Sequence, residues 1–379
     1  MSTILIKNGT LIDGSGSKRY LADIFIENEK IKKIGKLDLT ADKVIDASGK
    51  IVSPGFIDTH SHSDLKVLIE PFVEPKIRQG ITTEILGQDG ISMAPLPEEY
   101  VSSWRKNLAG LDGDSDELKW NWKNTDGYLN LISKTGSGPN ELYLVPHGNI
   151  RMEAMGLEAR VATKEELEKM KEITRREMEA GVAGLSTGLI YIPCAYAETE
   201  ELIEICKVAA EYGRPLVIHQ RSEADTMLES MQEVIRIAKE SGVKIHFSHF
   251  KICGQKNWKL IEPVIALLDK CKEEGINVSY DQYPYVAGST MLGVILPPWA
   301  HAGGTDKLIE RLKDKSLRQK MKKDIIESIP GWDNFIDFAG FDGIYVTSVK
   351  TDKNQDCIGK NLTEIAELRG KEKFDAVFD

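Results

Sequence analysis

His60 and His62 stand in the stretch GFIDTHSHSD, residues 55–64, where an apolar run ends in two histidines and two acids. Side chains alternate faces along a strand, so His60 and His62 point one way while Thr59 and Ser61 point the other. Two imidazoles on one side can both ligate a first-row metal at about 2.0 to 2.1 Å. The pair by itself fits a solvated turn better. Other histidines occupy matching places, however. His219 closes RPLVIH, His249 closes VKIHFSH and His147 closes ELYLVPH, so four predicted strands finish in histidine in a chain with only seven. That recurrence favours His219 and His249 as further metal ligands over core histidines satisfied by a carbonyl. His147 reads as pocket-lining, and His246, three residues before His249, as packed against a helix. His301 has no supporting pattern.

Two cations, or one beside a weaker site, need an anion to offset their charge. Asp89, in ITTEILGQDGISMAP, is the best candidate because it ends a buried-looking strand. An Asx-type turn at Asp-Gly would use the same residue for backbone geometry alone.

The elements that must hold these residues follow from the rhythm of the chain. Residues 1–52 read as short alternating strands broken by DGSG and ENEK turn signals, the N-terminal part of a small β-sandwich domain. From 53 to 379 the texture becomes strand, polar loop, amphipathic helix, repeated. Seven inner strands are predicted: IVSPGFIDTH, TTEILGQDG, ELYLVPHGN, VAGLSTGLIY, RPLVIHQRS, VKIHFSHFK and INVSYDQYPY. Between them, TKEELEKMKEITRREMEAG opens with a Thr163/Glu166 capping box, and it and three further helices stop at glycine. Such units predict a (β/α)8 TIM barrel with its active site at the C-terminal ends of the strands. After Tyr285 the rhythm breaks: WAHAGGTDKLIERLKDKSLRQKMKKDIIES reads as helical and charged, FDGIYVTSVK as a further strand and TEIAELRGKEKFDAVFD as a last helix, and about 290–350 as an inserted lid or subdomain.

Composition bounds the function. A net charge of -10 without a local Lys/Arg cluster argues against nucleic acid. No apolar run approaches the roughly twenty residues of a membrane span. Five widely spaced cysteines with no CxxC, and no signal-peptide-length apolar stretch at the N-terminus, predict a reducing cytoplasm.

The motifs LIKNGTLIDGSG, SPGFIDTHSHSD, GLSTGLIY, IHQRSE, SHFK, DQYPYVAGST and LPPW together resemble the amidohydrolase superfamily, within it the N-acyl-D-amino-acid deacylase (D-aminoacylase) family, over nearly the whole length. The resemblance implies a barrel plus a β-sandwich domain and metal-assisted removal of the N-acyl group from an N-acyl-D-amino acid. It implies His60 and His62 as strand-one ligands and His219 and His249 as ligands from strands five and six. It also implies a clamp on the substrate carboxylate made of Lys251, Tyr191, Tyr283 and Ser289, with Arg221 nearby; a cation suits an anionic substrate.

Two departures from the family pattern matter. Where well-known members carry cysteine in a GNCG-like turn, this chain has GQDG, so Asp89 offers a carboxylate in place of a thiolate. Zinc, as one or two ions, is the first expectation; the harder ligand leaves manganese, iron or cobalt open. The family also places a proton-shuttling aspartate at the end of the eighth strand. This sequence ends at Asp379, ahead of that strand, and Asp281 belongs to the strand-seven motif instead. Rival expectations are therefore a cyclic amidase of the dihydroorotase or hydantoinase kind, which needs a strand-four lysine that GLSTGLIY does not offer, and a catalytically silent metal-binding protein.

Overall fold

The computed structural model describes residues 2–379. The chain divides into two compact units, Met1–Ile57 with Arg78–Thr82, and Asp58–Ile77 with Thr83–Asp379. The first unit carries β1 (Thr3–Leu11), β2 (Tyr20–Glu27), β3 (Lys30–Gly35), β4 (Lys43–Asp46) and β5 (Ile51–Val52). They form one sheet in the order β3-β2-β1-β4, with β5 also on β1. The β2–β3 hairpin turns at Asn28 and Glu29, whose φ values of 48° and 65° match the primed turns that suit strand twist. Inward-facing Leu11, Ala22 and Ile24 make its small core.

The second sheet has seven strands: β6 (Phe56–Asp58), β7 (Ile81–Leu86), β8 (Asn140–Pro146), β9 (Gly184–Gly188), β10 (Leu216–His219), β11 (Ile245–Phe247) and β12 (Val278–Tyr280), in sequential order. Pairing from β7 to β8 and from β8 through β12 is parallel. All seven lie where the sequence predicts strands, and the curled parallel sheet is that of a TIM-barrel-like fold with seven strands present. Every residue of β9 and of β10 is buried, the signature of a sheet covered on both faces. Amphipathic helices supply the cover. Lys164–Glu179 begins with the predicted capping box, Thr163 accepting from the Glu166 amide while Glu166 accepts from the Thr163 amide. Met227–Ser241 stops at Gly242, which takes the left-handed conformation.

Residues beyond β12 build a second core from Ile295, Leu308, Met321, Ile325, Leu362 and Phe374. Helices Thr305–Lys313 and Lys315–Glu327 lie there, as the charged helical pattern predicts, and the short helix Phe335–Ala339 lies beyond that pattern. The strand expected over FDGIYVTSVK does not form; Tyr345 makes only an isolated bridge to Asn361. With no parallel neighbour, alternation of Ile344 and Val346 serves packing onto this helical core instead. The last predicted helix is broken at Gly370 into Leu362–Arg369 and Lys373–Phe378. No helix among the described residues is long and apolar enough to cross a membrane.

Candidate metal centre

Parallel strands end on one side of their sheet, and the chemistry collects there. His219 is the last residue of β10; Asp281 follows β12, His249 lies two past β11, Asp89 three past β7, and His60 and His62 two and four past β6. Asp89 belongs to the turn Gly87-Gln88-Asp89-Gly90, which the neighbouring strands leave no room to widen. A Cβ on Gly87 would sit 2.1 Å from the Leu144 carbonyl oxygen, and one on Gly188 2.4 Å from that of Asp89. Gly87 takes φ 79° and Asp89 itself φ 56°, a left-handed conformation that aspartate tolerates better than most residues. Gln88 Nε2 donates to the carbonyls of Thr59 and Ile85, both at 2.9 Å, tying the turn to the end of β6.

The carboxylate so presented is the hub of the histidines. Asp89 Oδ2 lies 3.5 Å from His60 Nε2 and 3.4 Å from His62 Nε2, and its Oδ1 lies 3.6 Å from His249 Nε2. His219 joins through its Nδ1, 2.8 Å from His249 Nε2. Two groups, His60–His62–Asp89 and Asp89–His219–His249, hold their donor atoms within 4.8 Å of one another and share Asp89. The donor set fits divalent cations: imidazole nitrogens, one buried carboxylate common to both groups, and buried His219 Nε2 and Asp89 Oδ1 with no hydrogen-bond partner among the described residues.

A second carboxylate stands behind three of these rings. His60 Nδ1 faces Asp281 at 3.7 Å, His62 Nδ1 faces Asp112 at 3.5 Å, and His249 Nδ1 faces Glu223 at 2.9 Å. Burial opposes charge on His62, but Asp112 and Asp89 outweigh it and lift the group to about 10. In the same way His249 rises against burial to about 9, through Glu223 and Asp89. Burial dominates at His219, which falls to about 3. Asp89 is held well below the carboxylate range, its burial overcome by His60, His249 and His62.

Of the expected clamp residues, Lys251 lies against His249 and Tyr191 against His219. Lys251 Nζ bonds both Glu223 oxygens, at 2.8 and 2.6 Å, and the His249 carbonyl, and stands 5.5 Å from the Tyr283 ring centre. Tyr191 packs edge-on to His219 with its hydroxyl 2.9 Å from Thr290 Oγ1. Tyr283 is half-buried and Ser289 exposed. Arg221 is occupied by Glu233 and the carbonyls of Ala195 and Ala197.

Two histidines differ from expectation. His147 is fully buried, bonded to Thr187 Oγ1 and to Glu201, which also takes the buried Arg151. His246 bonds Ser279 Oγ and the Asp281 carboxylate (3.0 Å), at the end of the next strand. Asp112, Glu223 and Asp281 join the site beyond the residues expected from the sequence. Glu223 and Asp281 carried a signal, since each lies just past a strand end; Asp112, in the loop LAGLDGDSD, carried none.

The sequence profile of the Amidohydrolase family matches residues 43–276. This chain belongs to the amidohydrolase family. The amidohydrolase is 36% identical over 290 residues to a D-aminoacylase of Alcaligenes xylosoxydans xylosoxydans, and equally to an N-acyl-D-glutamate deacylase of that organism, covering 76% of this chain and 58% of each relative. It thus spans under two thirds of the curated relatives it matches. Among solved structures, a zinc complex of an N-acyl-D-glutamate deacylase from Bordetella bronchiseptica with a phosphonate mimic of the tetrahedral intermediate superposes with a TM-score of 0.81 at 31% identity, over 99% of this chain and 69% of that one. A D-aminoacylase described as having a binuclear metal centre superposes with a TM-score of 0.78 at 30% identity over the same shares.

Proposed function

We propose that this amidohydrolase belongs to an N-acyl-D-amino-acid deacylase, with His60, His62, Asp89, His219 and His249 holding one or two divalent cations, zinc first. The observation that carries the reading is the convergence of four imidazoles from three strand ends on the Asp89 carboxylate. When bound, the cation supplies Lewis-acid polarisation of an acyl carbonyl and a lowered pKa for attacking water. Asp89 offsets cationic charge from a site already furnished with buried imidazoles. Lys251, Tyr191, Tyr283 and Ser289 orient the substrate by its free carboxylate. The Lys251 ammonium is the only cation of this set, and Glu223 holds it beside His249. Arg221 braces the loop after β10 against Glu233. The helical segment 290–350 serves as cover, tied to the strand ends by Thr290 on Tyr191 and by Asp333 on Ser222 and the Glu223 amide.

The test is turnover by the full-length protein, loaded with zinc, manganese or cobalt, on N-acetyl-D-amino acids, their L-enantiomers, a hydantoin and dihydroorotate. Release of free D-amino acid supports the reading. Turnover of a cyclic amide alone, or metal uptake with no turnover of any substrate, rejects it.

A further inference from the structure

We infer that Asp112 is a positioning residue: it accepts the Nδ1 proton of His62 and so fixes that ring with Nε2 toward Asp89. The inference rests on the metal reading above and deepens it. Asp112 comes from outside the sheet. The helix Val101–Leu108 ends with Leu111 N and Asp112 N both donating to the Leu108 carbonyl at 2.9 Å, and this turn delivers the carboxylate. Buried Leu108 and Trp104, the latter with its indole on the Ser92 carbonyl at 2.7 Å, hold the helix in place.

The Asp112 side chain is fully buried and, among the described residues, its one ion-pair partner is His62, with Nδ1 at 3.5 Å from Oδ1. Among the described residues no other donor reaches either oxygen, so the facing His62 Nδ1 is the group left to satisfy it. Leaving a carboxylate so buried is costly unless a proton donor or charge faces it. The outer carboxylates behind His60 and His249 have other employment: Asp281 takes His246 and the His249 amide, and Glu223 takes Lys251. Asp112 serves His62 alone.

Asp64 lies in the same group as His62 and Asp112, which raises the possibility of a separate cation there. Two facts weigh against it. Asp64 Oδ1 is engaged by the Gly87 amide at 2.8 Å and by Ser92, which makes it a brace for the Asp89 turn and leaves only its Oδ2 without a partner among the described residues. A cation would also need Nδ1 of His62 as a ligand, stripping the ring of its last proton while Nε2 faces Asp89. A donated N–H gives the same geometry without added charge, the arrangement by which outer carboxylates orient ligating imidazoles.

The experiment is zinc affinity by chelator competition on the full-length protein, for wild type, Asp112→Asn, Asp112→Glu and the exposed control Asp116→Asn, together with NMR of labelled histidine in the zinc-loaded form. The expected result is a 10- to 100-fold loss of affinity in Asp112→Asn, recovery in Asp112→Glu, no change in Asp116→Asn, and a moved His62 Nδ1–H resonance in Asp112→Asn. Equal affinity in wild type and Asp112→Asn overturns the inference alone. So does a loss of affinity with the His62 resonance unmoved, since a purely structural role predicts that. No zinc uptake by the wild type overturns the metal centre and this inference with it.

Discussion

His219 Nδ1 lies 2.8 Å from His249 Nε2, the nitrogen that also faces Asp89, so one proton lies between the two rings. His219 is lowered to about 3 by burial and His249 raised to about 9 by Glu223 and Asp89, which overcome its burial; the proton resides on His249. A cation accepted by His249 must displace it. Metal uptake near pH 7 is therefore expected to release protons, and affinity to fall as pH drops below about 10, where first His62 and then His249 take up a proton. Calorimetry in buffers of different ionisation enthalpy measures the count; uptake with no proton release would contradict the assignment.

Gly87→Ala is expected to abolish metal binding and to lower stability. The added methyl meets the Leu144 carbonyl oxygen at 2.1 Å, and φ 79° is strained for any side chain. The turn must move, carrying Asp89 with it. Metal content and thermal melting of the purified variant check both effects, and normal metal content would show that the turn can relax around Leu144.

Glu201→Ala is expected to cost about 3–5 kcal/mol, the range for removing one partner of a buried ion pair. Glu201 is the shared acceptor of His147 and Arg151, both fully buried, so its removal leaves their charge uncompensated. Burial opposes charge on His147, but Cys194 and Glu201 lift it to about 9. Denaturant unfolding measures the loss. A change below about 1 kcal/mol would mean water replaces the carboxylate.

Asp333 ties the segment after β12 to the loop after β10, accepting from Ser222 Oγ at 2.6 Å and the Glu223 amide at 2.7 Å. Burial raises its carboxyl to about 6 although both hydrogen bonds pull downward. The folded protein then binds a proton that the unfolded chain has lost, between about pH 3.9 and 6. This contribution to stability is present in full below that window and disappears as pH rises through 6. Asp333→Asn carries no titrating group, so the melting temperature of wild type minus that of the variant should fall between pH 4 and 7; parallel curves would refute the raised carboxyl.

Much of this was legible in the linear order. Seven apolar runs ending in polar residues marked the parallel strands, because a strand covered on both sides must be apolar until it leaves the sheet; His60 and His62 meet Asp89 on one side although both lie past the end of β6, outside the alternation of a strand. The capping box at Thr163 was equally local. FDGIYVTSVK misled for the complementary reason: alternation marks a half-buried segment, and whether it finds a strand partner is a question of neighbours.

The sequence by itself determined which residue types stand at the strand ends, since local pattern fixes element type and facing. Only the tertiary structure decided that Asp89 meets three Nε2 atoms while Asp281, Asp112 and Glu223 stand behind the same rings, and that His147 belongs to a separate buried pair with Glu201. Those relationships join residues up to 221 positions apart, His60 with Asp281 being the longest. Nothing periodic in a chain encodes them; they arise when strands of one direction end together and desolvation makes each buried charge settle against whichever partner the packing leaves within reach.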